Sequence, residues 1–301
     1  MQRSRARVSC VSAPHRLAVG FVIALALCSC AAATTGGPAP GSASSTAATS
    51  VPTTAGQGSP TRPAATSPAA TASPAATLGP RANAPAAGAV VVLDPGHNGG
   101  NASHGSEINR RVPDGRGGTK PCNTTGTSTN AGYSEHAFAW DVAQRVRASL
   151  EQRGVHVVMT RSGDQGVGPC VDERGATGRR AGAAAVVSIH ADGSAAGNRG
   201  FHVAYSSPPL NDAQRGPALN LSRDLRDALQ GGNFAASDYT GRDGLSPRPD
   251  LAGLSLSTVP AALVECANMR NAQEAALVSS AEGRARYAAA ITDGIMRFLA
   301  R

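Results

Sequence analysis

From about residue 88 onward the chain carries apolar residues in two rhythms. A short β-branched run at 90–93 and a continuous apolar run at 183–189, with further stretches at 155–160 and 259–264, each end in turn-forming or charged residues. Runs of this length suit strands covered on both faces of a sheet. Between them the period becomes helical. Ser134 opens a segment in which Phe138, Val142, Val146 and Leu150 recur at every fourth position until Gly154, the pattern of an N-capped helix with one apolar stripe and a glycine stop. Further helices are predicted at 171–182, 210–229, 273–280 and 282–299, and a strand at 200–205. The strand, loop, helix and strand between 90 and 160 require a crossover, so the first two strands should pair in parallel. Two polar stretches are left as loops, 98–132 and 231–257, and a loop as long as the first is usually functional or mobile.

The residues before the domain lack this patterning. Arg3, Arg5, Arg7 and Arg16 precede an apolar segment, 17–27, that is too short to span a bilayer and reads as a signal peptide. It ends in Leu27-Cys28-Ser29-Cys30, resembling a lipobox with Cys30 as the lipidated residue. Ordinary secretion with cleavage among Ala31, Ala32 and Ala33 is the alternative. Residues 31–87 are dominated by Ala, Thr, Ser, Pro and Gly, offer no core, and read as a disordered tether. The organisation expected is therefore a lipoprotein-like signal peptide at 1–30, a tether at 31–87 and one α/β domain at 88–301. The protein would be exported to the cell envelope, with membrane contact only through a lipid on Cys30, and monomeric.

Composition narrows the partners. The formal net charge is +8, almost all of it from arginine, since Lys120 is the sole lysine. No basic block or aromatic stacking motif accompanies the charge, which argues against nucleic acid. An acidic polymer outside the cytoplasm fits better. Cys122, Cys170 and Cys266 fall in the domain without a CxxC pair. In an oxidising compartment the two that lie in glycine- and proline-rich loops, Cys122 and Cys170, are the natural disulfide pair.

Candidate chemistry collects where strands stop. The run 90–93 is broken by Asp94, Pro95 and Gly96 and delivers His97 on a turn; the run 183–189 delivers His190 ahead of Asp192 and Gly193; the run 259–264 delivers Glu265. The carboxyl ends of strands are where open α/β sheets keep their sites. Glu135 falls on the first turn of the helix after Ser134, where a carboxylate also simply complements the helix dipole. A loop histidine beside glycines reads equally well as a solvent-exposed side chain, and Glu265 as a buried carboxylate paired with an arginine. Taken together, His97, Glu135 and His190 match a His, Glu, His set that leaves a fourth position open on zinc.

Leu93-Asp94-Pro95-Gly96-His97, the helix-opening Glu135, Thr160-Arg161, Val187-Ser188-Ile189-His190-Ala191-Asp192 and Pro260-Ala261-Ala262-Leu263-Val264-Glu265 resemble, in order and spacing, zinc-dependent N-acetylmuramoyl-L-alanine amidases of the Amidase_3 type. The resemblance implies a mostly parallel twisted sheet with helices on both faces. It implies Zn2+ held by His97, Glu135 and His190, with Glu265 as the catalytic carboxylate. The substrates implied are peptidoglycan and muropeptides, cut by activated water at the amide between N-acetylmuramic acid and L-alanine. Asp94 would either orient a metal-bound imidazole or stabilise its own turn, and Arg161 would face the cleft or solvate a strand end. The sequence departs from many relatives after Glu265, where Cys266, Asn268, Met269, Arg270 and Asn271 stand. Two rival readings are a catalytically degenerate peptidoglycan-binding or regulatory lipoprotein of the same fold and a zinc peptidase acting within the stem peptide. A Ser-His-Asp hydrolase lacks its G-x-S-x-G elbow here.

Overall fold

The computed structural model describes residues 88–301; the signal peptide and tether expected at 1–30 and 31–87 lie outside them. In chain order, β1 (Val90–Pro95) leads to α1 (Gly105–Ile108), a hairpin of β2 (Arg111–Pro113) and β3 (Thr119–Pro121), and the long helix α2 (Glu135–Glu151). Next come β4 (His156–Met159), α3 (Val171–Arg180), β5 (Ala185–Asp192), β6 (His202–Ser206), α4 (Asp212–Arg215) and α5 (Pro217–Gly231). The chain closes with β7 (Leu245–Arg248), α6 (Ala252–Ser255), β8 (Ala261–Asn268), α7 (Ala272–Ser279) and α8 (Ala281–Leu299). Six strands form one sheet in the order β4-β1-β5-β8-β6-β7. Every pairing is parallel except β6 with β8.

Helices cover the two faces unequally. On one, Val91, Leu93, Val187, Ile189, Val203, Ala262 and Val264 pack against the apolar stripes of α2, α5 and α8 in a continuous core. On the other, Val92, Val186, Ala204, Ala261 and Leu263 meet Leu254 of the short α6. α3 lies close against that second face through Gly178, where a Cβ would sit 2.5 Å from Val186 and Val259. The C-terminal halves of the central strands carry Asp94, Ser188, His190 and Glu265 there, beside a cleft.

Several sequence expectations change in detail. β1 continues through Asp94 to Pro95 instead of breaking there. β4 ends at Met159 opposite Leu93, so the donor that Pro95 lacks has no ladder partner to lose. His190 and Glu265 are inside β5 and β8, not at their ends. β4 is an edge strand with alternate residues exposed, where continuous burial was expected. The helix predicted at 210–229 is divided at Gly216 into α4 and α5. Ser134 starts α2 with an extended backbone, but its hydroxyl makes no capping bond. The stretch 98–132 is built from α1 and the hairpin, and 231–257 holds β7 and α6. A Cys122–Cys170 disulfide joins the hairpin's exit to the start of α3, with Cα atoms 4.5 Å apart.

Candidate metal centre and cleft

His97 follows β1 with φ at +55°, a left-handed backbone that costs a non-glycine residue roughly 1–2 kcal/mol. Hydrogen bonds hold it there. Arg174 of α3 donates to the carbonyls of Pro95 (2.7 Å), His97 (2.9 Å) and Pro169 (2.9 Å), and Arg161 donates to that of Pro95 at 3.0 Å. Nδ1 of His97 donates to the Thr124 carbonyl at 3.0 Å. That bond fixes the tautomer and leaves the Nε2 lone pair for a ligand. Two glycines make room: a Cβ on Gly96 would stand 2.2 Å from the His190 ring, and one on Gly126 2.8 Å from Glu135 Oε2.

Glu135 reaches the same point from the first turn of α2. Its Oε1 lies 3.0 Å from His97 Nε2 and 2.8 Å from His190 Nδ1. The Thr127 amide donates to Oε2 at 2.9 Å and the Ala191 amide to Oε1 at 3.3 Å, so the carboxylate is oriented by backbone. Burial would raise its pKa, but the facing His97 charge and the imidazole hydrogen bonds hold it well below the ordinary value. Burial likewise pulls His97 down and is outweighed by Glu135 and the Thr124 carbonyl, which raise it. The two imidazoles meet edge to face with centroids 4.9 Å apart.

Glu265 stands beside His190 because β5 and β8 pair in register there, which puts the two side chains next to each other on one face. On its other side β6 places His202 in register. Oε2 of Glu265 is buried and has no hydrogen-bond partner, so the arginine-paired carboxylate of the structural alternative is not what forms. Arg248 attracts it only from a distance, being bonded to Asp250. Burial pushes the Glu265 carboxyl up, and the Glu135 and Asp192 charges add to this. A carboxylate of raised basicity in a cleft is suited to taking and returning a proton.

The remaining sequence candidates find other tasks. Asp94 accepts from Thr160 Oγ1 (2.6 Å), Ser188 Oγ (2.7 Å) and Arg174 Nη1 (2.8 Å), and it bonds to no imidazole. Burial alone would raise its pKa; Arg174 and the hydroxyls hold it low. Arg161 is buried under the β1 turn, donating to the carbonyls of Pro95, Gly96 and His136 and to Asp164, with Trp140 over its guanidinium. It therefore supports the site from below and does not face the cleft. His136 pairs with Asp164. Arg174 and Thr124 went unmarked in the sequence, where Arg174 is one arginine of several on a helix and Thr124 acts through its carbonyl.

The ligand atoms of His97, Glu135 and His190 lie within 4.8 Å of one another. Donors on a tetrahedral zinc at about 2.0–2.1 Å stand roughly 3.3 Å apart, so two nitrogens and one oxygen at these separations fit such an ion with little movement. They open on a cleft of about 490 Å³ that Glu265 also lines. A family model described as N-acetylmuramoyl-L-alanine amidase, Amidase_3, matches residues 91–297. The chain belongs to this amidase family. It is 50% identical over 213 residues to N-acetylmuramoyl-L-alanine amidase Rv3717 of Mycobacterium tuberculosis, covering 71% of this chain and 87% of that protein. Among solved structures, the N-acetylmuramyl-L-alanine amidase Ami1 of Mycobacterium smegmatis is similar at TM-score 0.69 and 51% identity, covering 71% of this chain and 98% of that one. Ami1 of Mycobacterium abscessus gives TM-score 0.69 and 50% identity over 71% of this chain and 99% of its own.

Proposed function

We propose that the protein is a zinc-dependent N-acetylmuramoyl-L-alanine amidase that hydrolyses the amide between the lactyl group of N-acetylmuramic acid and the L-alanine of the stem peptide. The observation that carries this reading is the convergence of His97, Glu135 and His190 in one cleft with Glu265 in register beside them. Zinc held by these three residues supplies Lewis acidity toward the scissile carbonyl and the attacking water. The protein's own part is to orient and to move a proton. Thr124, Thr127 and Ala191 fix the donors by backbone bonds, so little reorganisation is needed when substrate arrives. Glu265 accepts the water's proton at its unpartnered oxygen and returns it to the leaving L-alanine nitrogen.

Export accompanies this proposal, with Cys30 as the lipid-bearing residue and the segment 31–87 as a spacer into the surrounding polymer. The Cys122–Cys170 disulfide supports an oxidising compartment. The test is to incubate the protein with purified peptidoglycan, with and without a chelator, and to identify products by mass spectrometry. Intact stem peptides with a free L-alanine amine, released from intact glycan and only without chelator, are expected. Fragments cut within the stem would make it a peptidase, and no product from a zinc-loaded sample would make it a binding protein.

A further inference from the structure

The cleft wall formed by residues 120–124, which adjoins the metal centre through the Thr124 carbonyl, carries two hydrogen-bond donors with capacity to spare. Lys120 on β3 lines it, and its Nζ donates to the Asp250 carbonyl at 2.8 Å. An ammonium has three donors, so two remain. The carboxylates nearest to it are engaged elsewhere: Asp250 is held by Arg248 at 2.7 and 2.6 Å, and Asp114 accepts the Arg116 and Gly118 amides. Asn123 lines the same wall and is 5% exposed. Its Oδ1 accepts the Thr124 amide at 2.8 Å, which fixes the amide's orientation, and its buried Nδ2 meets no acceptor. A buried donor without a partner is costly unless a ligand supplies the acceptor. Cys122 stands between the two residues and is pinned to α3 by its disulfide, so this wall is held in place.

We infer that Lys120 and Asn123 form a subsite for a carboxylate on the peptide side of the cleaved bond, the one nearest the scissile amide. This rests on the amidase reading above. In such a substrate the lactyl carboxyl is consumed in the amide and the glycan beside it is neutral, so the stem peptide bears the negative charge. A cation and an amide donor that line the same 490 Å³ cleft as the metal centre are suited to the first residues of that peptide.

The test compares kcat/KM of the zinc-loaded full chain on the acid N-acetylmuramoyl-L-alanyl-D-glutamate and on its α-amide, N-acetylmuramoyl-L-alanyl-D-isoglutamine, which lacks the carboxylate nearest the scissile amide and keeps only the distal γ-carboxylate. The acid is expected to be preferred by about tenfold, the size of one charge-assisted hydrogen bond, through KM and not kcat. Lys120→Gln keeps a donor for the Asp250 carbonyl and should abolish the preference, whereas Lys120→Arg should retain most of it. Asn123→Asp keeps the acceptor for Thr124, removes the donor, and should selectively weaken the acid substrate. Equal efficiency on the two substrates in the unaltered chain, or an undiminished preference in Lys120→Gln, overturns the subsite while leaving the amidase reading intact. A zinc-loaded chain that cuts neither substrate overturns the amidase reading and the subsite with it.

Discussion

Along β5, Val187 and Ile189 point into the core formed with α2, α5 and α8, while Ser188 and His190 point to the opposite face, where α3 and α6 leave the strand ends uncovered. β8 does the same, with Val264 inward and Glu265 toward the cleft. The two faces share one backbone, yet one is apolar and closed by three helices, while the other has a smaller apolar patch under α3 and α6 and turns polar and open toward the carboxyl ends of the strands. Alternation along a strand is what allows this, because neighbouring residues are committed to different solvents. The closed face fixes strand register, and register in turn sets His190 beside Glu265 and Glu265 beside His202. Precision at the site is thus inherited from packing on the far side of the sheet.

Substitutions on opposite faces should separate these contributions. The largest effect is expected from His190→Ala, which should abolish zinc retention and lower turnover about a thousandfold, with thermal unfolding of the metal-free protein little changed. Metal analysis after gel filtration, beside an activity assay, decides this, and normal zinc content would contradict it. One residue away, Ile189→Ala should cost about 2–5 kcal/mol of stability while the folded fraction still binds zinc, as read from denaturant unfolding. Replacing Cys122 and Cys170 by serine should lower stability by about 2–4 kcal/mol and loosen the cleft wall around Lys120; no change in the unfolding midpoint would remove the disulfide from the account.

The smallest effect concerns pH. Burial lowers the His202 pKa to about 4, with Asp192 opposing and Arg248 adding to the fall. The unfolded chain takes up its proton near 6.5, before the folded one does, so stability is complete above that pH and declines as pH falls toward 4, by up to about 3 kcal/mol. In chelator, His202→Phe should flatten this slope between pH 6.5 and 4. An unchanged slope would assign the acid sensitivity to other groups.

Helices with a strong period and the buried parallel strands were legible in the sequence because their patterns report burial directly. The Phe138 to Leu150 stripe and the runs leading to His97 and His190 are examples. Less legible was whatever depends on a partner distant in sequence. β7 is short, carries Pro247, and is a strand only because β6 pairs with it. The edge position of β4 follows from sheet order, which its residues do not encode. At the site, the strand-end motifs brought His97, His190 and Glu265 to notice, and the helix start after Ser134 brought Glu135. The carbonyl of Thr124, the buried fork of Arg174 and the placement of His202 beside Glu265 arise from loop closure and strand pairing, and leave no local pattern.

The central claim is a division of labour in which three residues hold the metal and Glu265 moves the proton. Zinc content and muramoyl-L-alanine hydrolysis measured together on Glu265→Gln test it most directly. Retention of a full equivalent of zinc with turnover lowered by about a hundred- to ten-thousandfold is the predicted result. Hydrolysis at the unaltered rate, or loss of zinc in step with activity, would contradict it.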